Sequence, residues 1–350
     1  MGAADIIPGV SGGTMALITG IYDRLINAIR SVDKETLKSL LTFDIAGFFE
    51  QFHWRFLLIL LTGIIGAILF FTRIVPLQVY MYTHPEVVYG LFFGLILGSV
   101  VILVMEVEKS ERGVKTLLPL VIGTLVGYWV VTLVPADTPE TALFMFLSGM
   151  LAFCALILPG ISGSYLLLIL GKYDYTLMQL GRLGGDGTME ALMAIVPLIV
   201  GGITGVVLFS RVLSWLLNHY HTITLMVLVG FMIGSLYTIW PWQEREYSET
   251  VVDTRIAERS DEAVQQLIES PPNPLAPSYR RLGEVQNPEA PYEDQRIEIE
   301  VIERSLAESS PFIPGMAEDP PESYSLWGGI AGLLVGLALV GALDYLRRKE

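Results

Sequence analysis

The chain has 350 residues, of which 52% are apolar and only 17% charged, and its mean hydropathy is +0.55. That is too little charge to cover a soluble domain of this size, so an integral membrane protein is expected and nucleic acid is not expected as a partner. The formal net charge of −14 is local, because residues 243–325 carry 19 Asp/Glu against 7 Arg and the remainder is close to neutral.

The first residues hold Pro8-Gly9-Val10-Ser11-Gly12-Gly13-Thr14, with an acid, Asp5, three positions before the proline. No Lys or Arg precedes Arg24, so the start lacks the basic region of a signal peptide. Charge-free runs follow at 56–72, 87–105 and 116–136. Most such runs reach the roughly 20 residues that a helix needs to cross hydrocarbon. The next, 141–171, has 31 residues. As one helix it would be about 46 Å long, too long for a bilayer. Pro159-Gly160 interrupts it, which predicts a helix–break–helix hairpin that dips into the membrane and returns; a proline-kinked spanning helix is the plainer alternative. Runs at 191–210, 212–243 and 323–343 complete the set. The six tryptophans, among them Trp54, Trp129 and Trp215, sit near run ends, as interfacial anchors do. Residues 243–325, with ten prolines and no lysine, are predicted to be disordered or loosely structured, although Arg296–Leu306 suits a short strand or helix. Cys154 is the single cysteine, so no intramolecular disulfide can form.

The chain repeats itself. Residues 4–23 and 155–174 align at an offset of 151 with 11 of 20 positions identical, where chance gives about one. Weaker likenesses follow. Gly63…Thr72-Arg73 matches Gly201…Ser210-Arg211, Gly94…Ser99 matches Gly230…Ser235, and Gly123…Gly127 matches Gly332…Gly336. The predicted fold is therefore an all-α integral membrane protein of two repeats, 1–134 and 141–240 plus 326–346, with residues 243–325 as an acidic insert. Each repeat is a re-entrant hairpin followed by three spans. Three crossings per half invert the second half relative to the first. Twelve basic residues then fall on one side, including Arg24, Arg30, Lys109 and Arg347, against Arg73, Lys172 and Arg182 on the other. The positive-inside rule makes the first side cytoplasmic, so the insert lies outside and the C-terminus inside. Inverted repeats with broken helices are a transporter plan, with the site where the repeats meet.

Ser11, Gly12, Gly13 and Thr14 precede one helix-forming run; Ser162, Gly163 and Ser164 precede the other. A helix that starts after small residues offers free N–H groups, a positive dipole end and hydroxyl donors, the recipe for a phosphate or carboxylate site. Close helix packing is the other use of such residues. Arg73 and Arg211, matched in the repeat and expected at span ends, are candidates for guiding an anion, or are interfacial arginines only. Asp5 has Leu156 as its counterpart, so the element does not need it to fold. An intramembrane carboxylate is a candidate for proton or sodium coupling. No cofactor is expected.

The motifs Ala4-Asp-Ile-Ile-Pro-Gly-Val-Ser-Gly-Gly-Thr14…Gly20-Ile-Tyr22 and Leu158-Pro-Gly-Ile-Ser-Gly-Ser-Tyr165…Gly171-Lys-Tyr173 resemble those of the PopT-type polyprenyl-phosphate transporters. The resemblance covers residues 1–240 and 326–346. It implies a flippase of the inner membrane that returns undecaprenyl phosphate to the cytoplasmic leaflet for cell-envelope synthesis; a homo-oligomer is a separate, open expectation. Repeat 1 departs from repeat 2 in having only seven residues before its Pro-Gly, where a first hairpin arm is expected. Two rivals stand beside this reading. One is a transporter of a small anion. The other is an intramembrane serine hydrolase, since residues 9–13 fit G-x-S-x-G, but all four histidines lie at span ends.

Overall fold

The computed structural model describes the chain except residues 7–9, 32–41, 43, 45–52, 76, 108–110, 112, 135, 137, 185–186, 271–277, 317–323 and 350. Pro8, Gly9 and the basic residues Lys34, Lys38, Lys109 and Arg112 therefore lie outside the described residues. Three short helices come first, α1 (Gly2–Asp5), α2 (Gly12–Ile18) and α3 (Tyr22–Arg30). Then follow α4 (Trp54–Arg73), α5 (Leu77–Thr83), α6 (Pro85–Glu106) and α7 (Val114–Val131). The second half begins with α8 (Ala142–Ile157), α9 (Gly163–Ile169) and α10 (Tyr173–Gly181), and continues with α11 (Thr188–His219) and α12 (His221–Ser235). After residue 325 comes α14 (Leu326–Arg347). Among the described residues five helices are long and apolar enough to cross a membrane, namely α4, α6, α7, α11 and α14; α8 and α12 are shorter apolar helices.

Helix ends follow local chemistry. Thr141 caps α8 by accepting from Phe144 N at 3.4 Å, and Ser325 caps α14 by accepting from Gly328 N at 3.0 Å. Pro85 opens α6, where its missing N–H has no partner to lose. The break before α6 falls at His84 (φ −140°, ψ 56°), and the break before α12 falls at Tyr220 (φ −136°, ψ 49°). Each lies ten residues before a matched glycine, Gly94 or Gly230, so both halves bend at the same place in the same conformation.

The apolar helices pair through glycine. A methyl group on Gly94 of α6 would strike the Leu333 carbonyl of α14, and one on Gly336 the Leu91 carbonyl. Gly123 of α7 faces the Val227 carbonyl of α12 in the same way, and Gly230 faces the Leu120 carbonyl. Bare backbones in contact gain dispersion energy that larger side chains would forbid. By sequence likeness α6 corresponds to α12, and α7 to α14. Each close pair therefore joins a helix of one half to a helix of the other. A third pair, α8 with α11, is stepped by Gly149, Gly201, Gly202 and Gly205.

α4 differs from its counterpart α11. None of its residues is buried, and Gly63 has no atom within 4 Å of where a Cβ would sit, whereas at Gly201 that place is filled by Phe146. α1, four residues long, meets α4 where Gly2 abuts the Ile64 carbonyl and the Ala67 side chain.

Two expectations are corrected. The spans 191–210 and 212–243 are not separate, because α11 runs unbroken for 32 residues through Arg211, and the chain breaks at Tyr220 within the polar run Asn218–His221. Arg211 thus lies inside a helix, eight residues before its end, while Arg73 ends α4. The insert is also folded, so the chain is not all-α. β1 (Gln243–Glu258), β2 (Ser278–Val285) and β3 (Arg296–Pro311) form an antiparallel sheet in the order β1-β3-β2, with α13 (Glu262–Glu269) between β1 and β2. Ile297 and Ile299 of β3 pack with Ala257 and with Val264 of α13 in a small separate core. The sheet is seated on the helices, since Trp240 Nε1 donates to Phe312 O at 2.9 Å and the Arg245 guanidinium lies 4.0 Å from the centre of the Tyr89 ring.

Candidate functional site

Burying the C-terminal end of a helix leaves carbonyls that need donors. α8 ends at Ile157 in the apolar interior, and the first motif supplies them. Tyr22 Oη donates to Ile157 O at 3.1 Å, and Ser11 Oγ donates to Leu158 O at 3.2 Å. The chain then turns through Gly160, whose φ of +82° few other residues adopt, and a Cβ there would lie 2.6 Å from Phe231 O. The Gly160 amide donates to Thr14 Oγ1 at 2.7 Å. After the break α9 folds back along α8, where a Cβ on Gly163 would lie 2.5 Å from Ala152 O. The run 141–171 is therefore two helices with a reversal between them.

The first motif is built on α2. Ser11 caps it, accepting from Gly13 N at 3.1 Å. Gly13 faces the end of α8, where an added Cβ would lie 2.6 Å from Ile157 O. Gly12 N donates to Asp5 Oδ1 at 2.9 Å, so the carboxylate occupies the first free N–H of α2. Ser11 and Thr14 are buried. In the second motif the Ser162 and Ser164 hydroxyls lie 2.9 Å apart, Ser162 half-buried and Ser164 exposed.

The two motifs thus touch, with Ser11, Gly13 and Thr14 against residues 157–160. Among the described residues, the hydrogen bonds that join them link Ser11, Thr14 and Tyr22 to residues 157–160, and the Ser162 and Ser164 hydroxyls pair with each other. Beyond the end of α2 a small cavity opens between Ile18, Thr19, Ser99, Leu103, Val340 and Asp344. Among the described residues no group of three or more His, Cys, Asp or Glu side chains stands ready for a metal ion.

Sequence reading missed two polar features. Arg30 Nη1 donates to Ser214 Oγ at 3.0 Å, and Ser214 in turn meets Asn27 Oδ1 at 3.3 Å, tying α3 to α11. Lys172, counted as a loop charge, is almost wholly buried. Neither signal exists in the residue types alone.

Thr14→Val should strip the Gly160 amide of its acceptor inside the protein, a loss of about 1–3 kcal/mol. The purified variant should melt at a lower temperature, and Thr14→Ser should restore it. Equal melting of Thr14→Val and wild type would contradict this role.

Comparison with known proteins now adds to the geometry. Residues 1–256 match the model of a family described as VCA0040-like, undecaprenyl phosphate translocase-like. A Vibrio cholerae protein named polyprenyl-phosphate transporter is 39% identical over 244 residues, covering 70% of this chain and 76% of its own. A Staphylococcus aureus protein of the same name is 27% identical over 256 residues, covering 69% of this chain and 83% of its own. No solved structure matches the chain significantly.

Proposed function

This chain belongs to the undecaprenyl phosphate translocase-like family, and we propose that it flips undecaprenyl phosphate across the inner membrane to recycle the carrier for cell-envelope synthesis. The observation that carries this reading is the lacing of Ser11, Gly13 and Thr14 to the break at residues 157–160. It draws two small-residue helix starts, one from each half, into one neighbourhood. A phosphate arriving there finds donors without a permanent positive charge once it displaces the Asp5 carboxylate and the Leu158 carbonyl that hold the Gly12 amide and the Ser11 hydroxyl. The headgroup exchanges hydration for N–H and O–H groups and remains free to leave.

The architecture we infer is an inverted repeat with two re-entrant hairpins. The matched bends at His84 and Tyr220 support it, as do the reciprocal pairs α6–α14 and α7–α12. The sheet of residues 243–311 then lies outside and Arg347–Lys349 inside. In this reading Ser11–Thr14 and Ser162–Ser164 bind the phosphate, while Arg73 and Arg211 act along the route rather than at its centre. Asp5 is the coupling residue. Its carboxylate holds the Gly12 amide and repels an arriving phosphate until a proton or sodium ion neutralises it. A serine hydrolase is disfavoured, since Ser11 Oγ is committed to a backbone carbonyl, and His84 and His219 pair locally with Thr83 and the Trp215 carbonyl.

The test is translocation of polyprenyl phosphate in proteoliposomes, with inorganic phosphate uptake as a second arm. Wild type should move the lipid and not the ion. Ser162→Asp should abolish movement by setting like charge beside the headgroup. Normal flipping by Ser162→Asp would place the site elsewhere, and uptake of phosphate alone would make the substrate a small anion.

A further inference from the structure

The far end of the second hairpin carries a charge that the fold does not require. Lys172 follows Gly171, whose φ of +63° turns the chain after α9, and it precedes α10. The Lys172 side chain is 1% exposed. Its Nζ donates to Thr138 O at 2.6 Å and lies 5.8 Å from the centre of the Tyr175 ring. Among the described residues no carboxylate pairs with it. An ammonium has three N–H donors, so among the described residues two are left over. A buried cation without a counter-ion is costly, and buried ionisable side chains of membrane proteins concentrate where they meet a substrate.

A purely structural account falls short. The carbonyls that end α9 already have donors, since Ile169 O accepts from Ala136 N at 2.8 Å and Leu170 O from Thr138 Oγ1 at 2.5 Å. The Lys172 amide itself closes the turn on Leu167 O at 2.8 Å. An apolar side chain of similar length would fill the same space without a desolvated charge. Two turns along the same face of α10, Gln179 is also buried, and its Oε1 has no partner. This face therefore carries polar groups where the fold alone would take Leu or Met.

We propose that Lys172 is a phosphate-binding residue, a second position for the phosphomonoester headgroup at the end of the hairpin away from the paired motifs. The proposal rests on the lipid-phosphate reading above. With α9 between them, Lys172 stands about 12 Å from the Ser162–Ser164 pair at helical rise, so the headgroup occupies the two positions in succession. The counterpart of Lys172 in the first half is Ile21. The second hairpin thus ends in a cation where the matched position of the first has none, which gives a nearly symmetric carrier a sided affinity.

The test measures binding of farnesyl phosphate, and separately of inorganic phosphate, to the purified full-length protein in detergent. Lys172→Gln should weaken farnesyl phosphate binding by about tenfold or more, the value of a hydrogen bond to a charged group. Lys172→Arg should stay within about threefold of wild type. A structural clamp would instead lower the melting temperature of Lys172→Gln and leave the affinity of the folded fraction unchanged, and that result overturns the proposal. Should Lys172→Gln not fold, hydrogen exchange of wild type decides. Farnesyl phosphate should slow exchange over residues 171–176, and no protection there overturns the assignment. Weakened binding of inorganic phosphate as well as farnesyl phosphate in Lys172→Gln identifies the phosphate itself as the recognised group. Loss of the lipid alone, with inorganic phosphate binding normally elsewhere, refutes a direct contact with the headgroup. If Ser162→Asp abolishes binding while Lys172→Gln does not weaken it, the inference fails and the transport reading stands. A wild type that binds no farnesyl phosphate sinks both.

Discussion

Gly201→Leu should remove most of the folded protein from the membrane, while Gly63→Leu at the matching position of the first half should be tolerated. The two glycines are equivalent in sequence but not in surroundings. Any side chain on Gly201 runs into the Phe146 backbone of α8, whereas Gly63 opens onto empty space. Leucine at 201 must push apart α8 and α11, which meet bare backbone to bare backbone. The lost contact and the strain together exceed about 3 kcal/mol, at the upper end of overpacking penalties. Quantifying monodisperse protein after detergent extraction, with its melting temperature, separates the two variants. If Gly63→Leu behaves as badly as Gly201→Leu, another helix covers α4 in the membrane.

Gly13→Val and Gly163→Val should abolish transport, and Gly12→Val should do less harm. At Gly13 and Gly163 the obstruction is backbone, Ile157 O at 2.6 Å and Ala152 O at 2.5 Å, which cannot swing away. At Gly12 it is the carboxylate of Asp5 at 2.7 Å, the end of a mobile side chain. Valine at position 13 also forces α2 away from the end of α8. That costs the Ser11 and Thr14 hydrogen bonds together, about 1–3 kcal/mol for each buried group left unpaired. Flipping rates in proteoliposomes, normalised to inserted protein, give the order. Near-normal flipping by Gly13→Val would mean that contact between the motifs is not needed for transport.

Much of this was legible in the residues. Long charge-free runs favour helices, and adjacent Pro159-Gly160 in a run too long for one span marks the reversal, because proline removes a helix donor and glycine admits a left-handed turn. The internal likeness of residues 4–23 and 155–174 singled out the two segments that the structure brings into contact. The manner of contact was not legible. The first motif grips backbone carbonyls and an amide at 157–160, and backbone groups carry no residue identity. The burial of Lys172 was not legible because a charge in a sequence has no depth. Arg211 did not end its helix, since a helix long enough to project beyond hydrocarbon carries an arginine without interruption. The insert was misread because prolines and acidic residues outweighed the alternation Ile297-Glu298-Ile299-Glu300-Val301, a period-two signal of a strand.

The pairing of α6 with α14 also sets a timetable. α6 ends at residue 106, and the helix that receives its glycine face begins at residue 326. At cellular elongation rates the intervening 219 residues take about ten to forty seconds to synthesise. Throughout that interval Gly90, Gly94 and Gly98 face lipid or an insertion factor rather than their partner. α7 waits in the same way for α12. A ribosome that stalls within the sheet, or a nonsense codon there, releases a chain in which α7 and α12 have met and α6 has not. Such a chain presents the quality-control proteases of the membrane with one exposed glycine seam, and it should be degraded far faster than the complete protein.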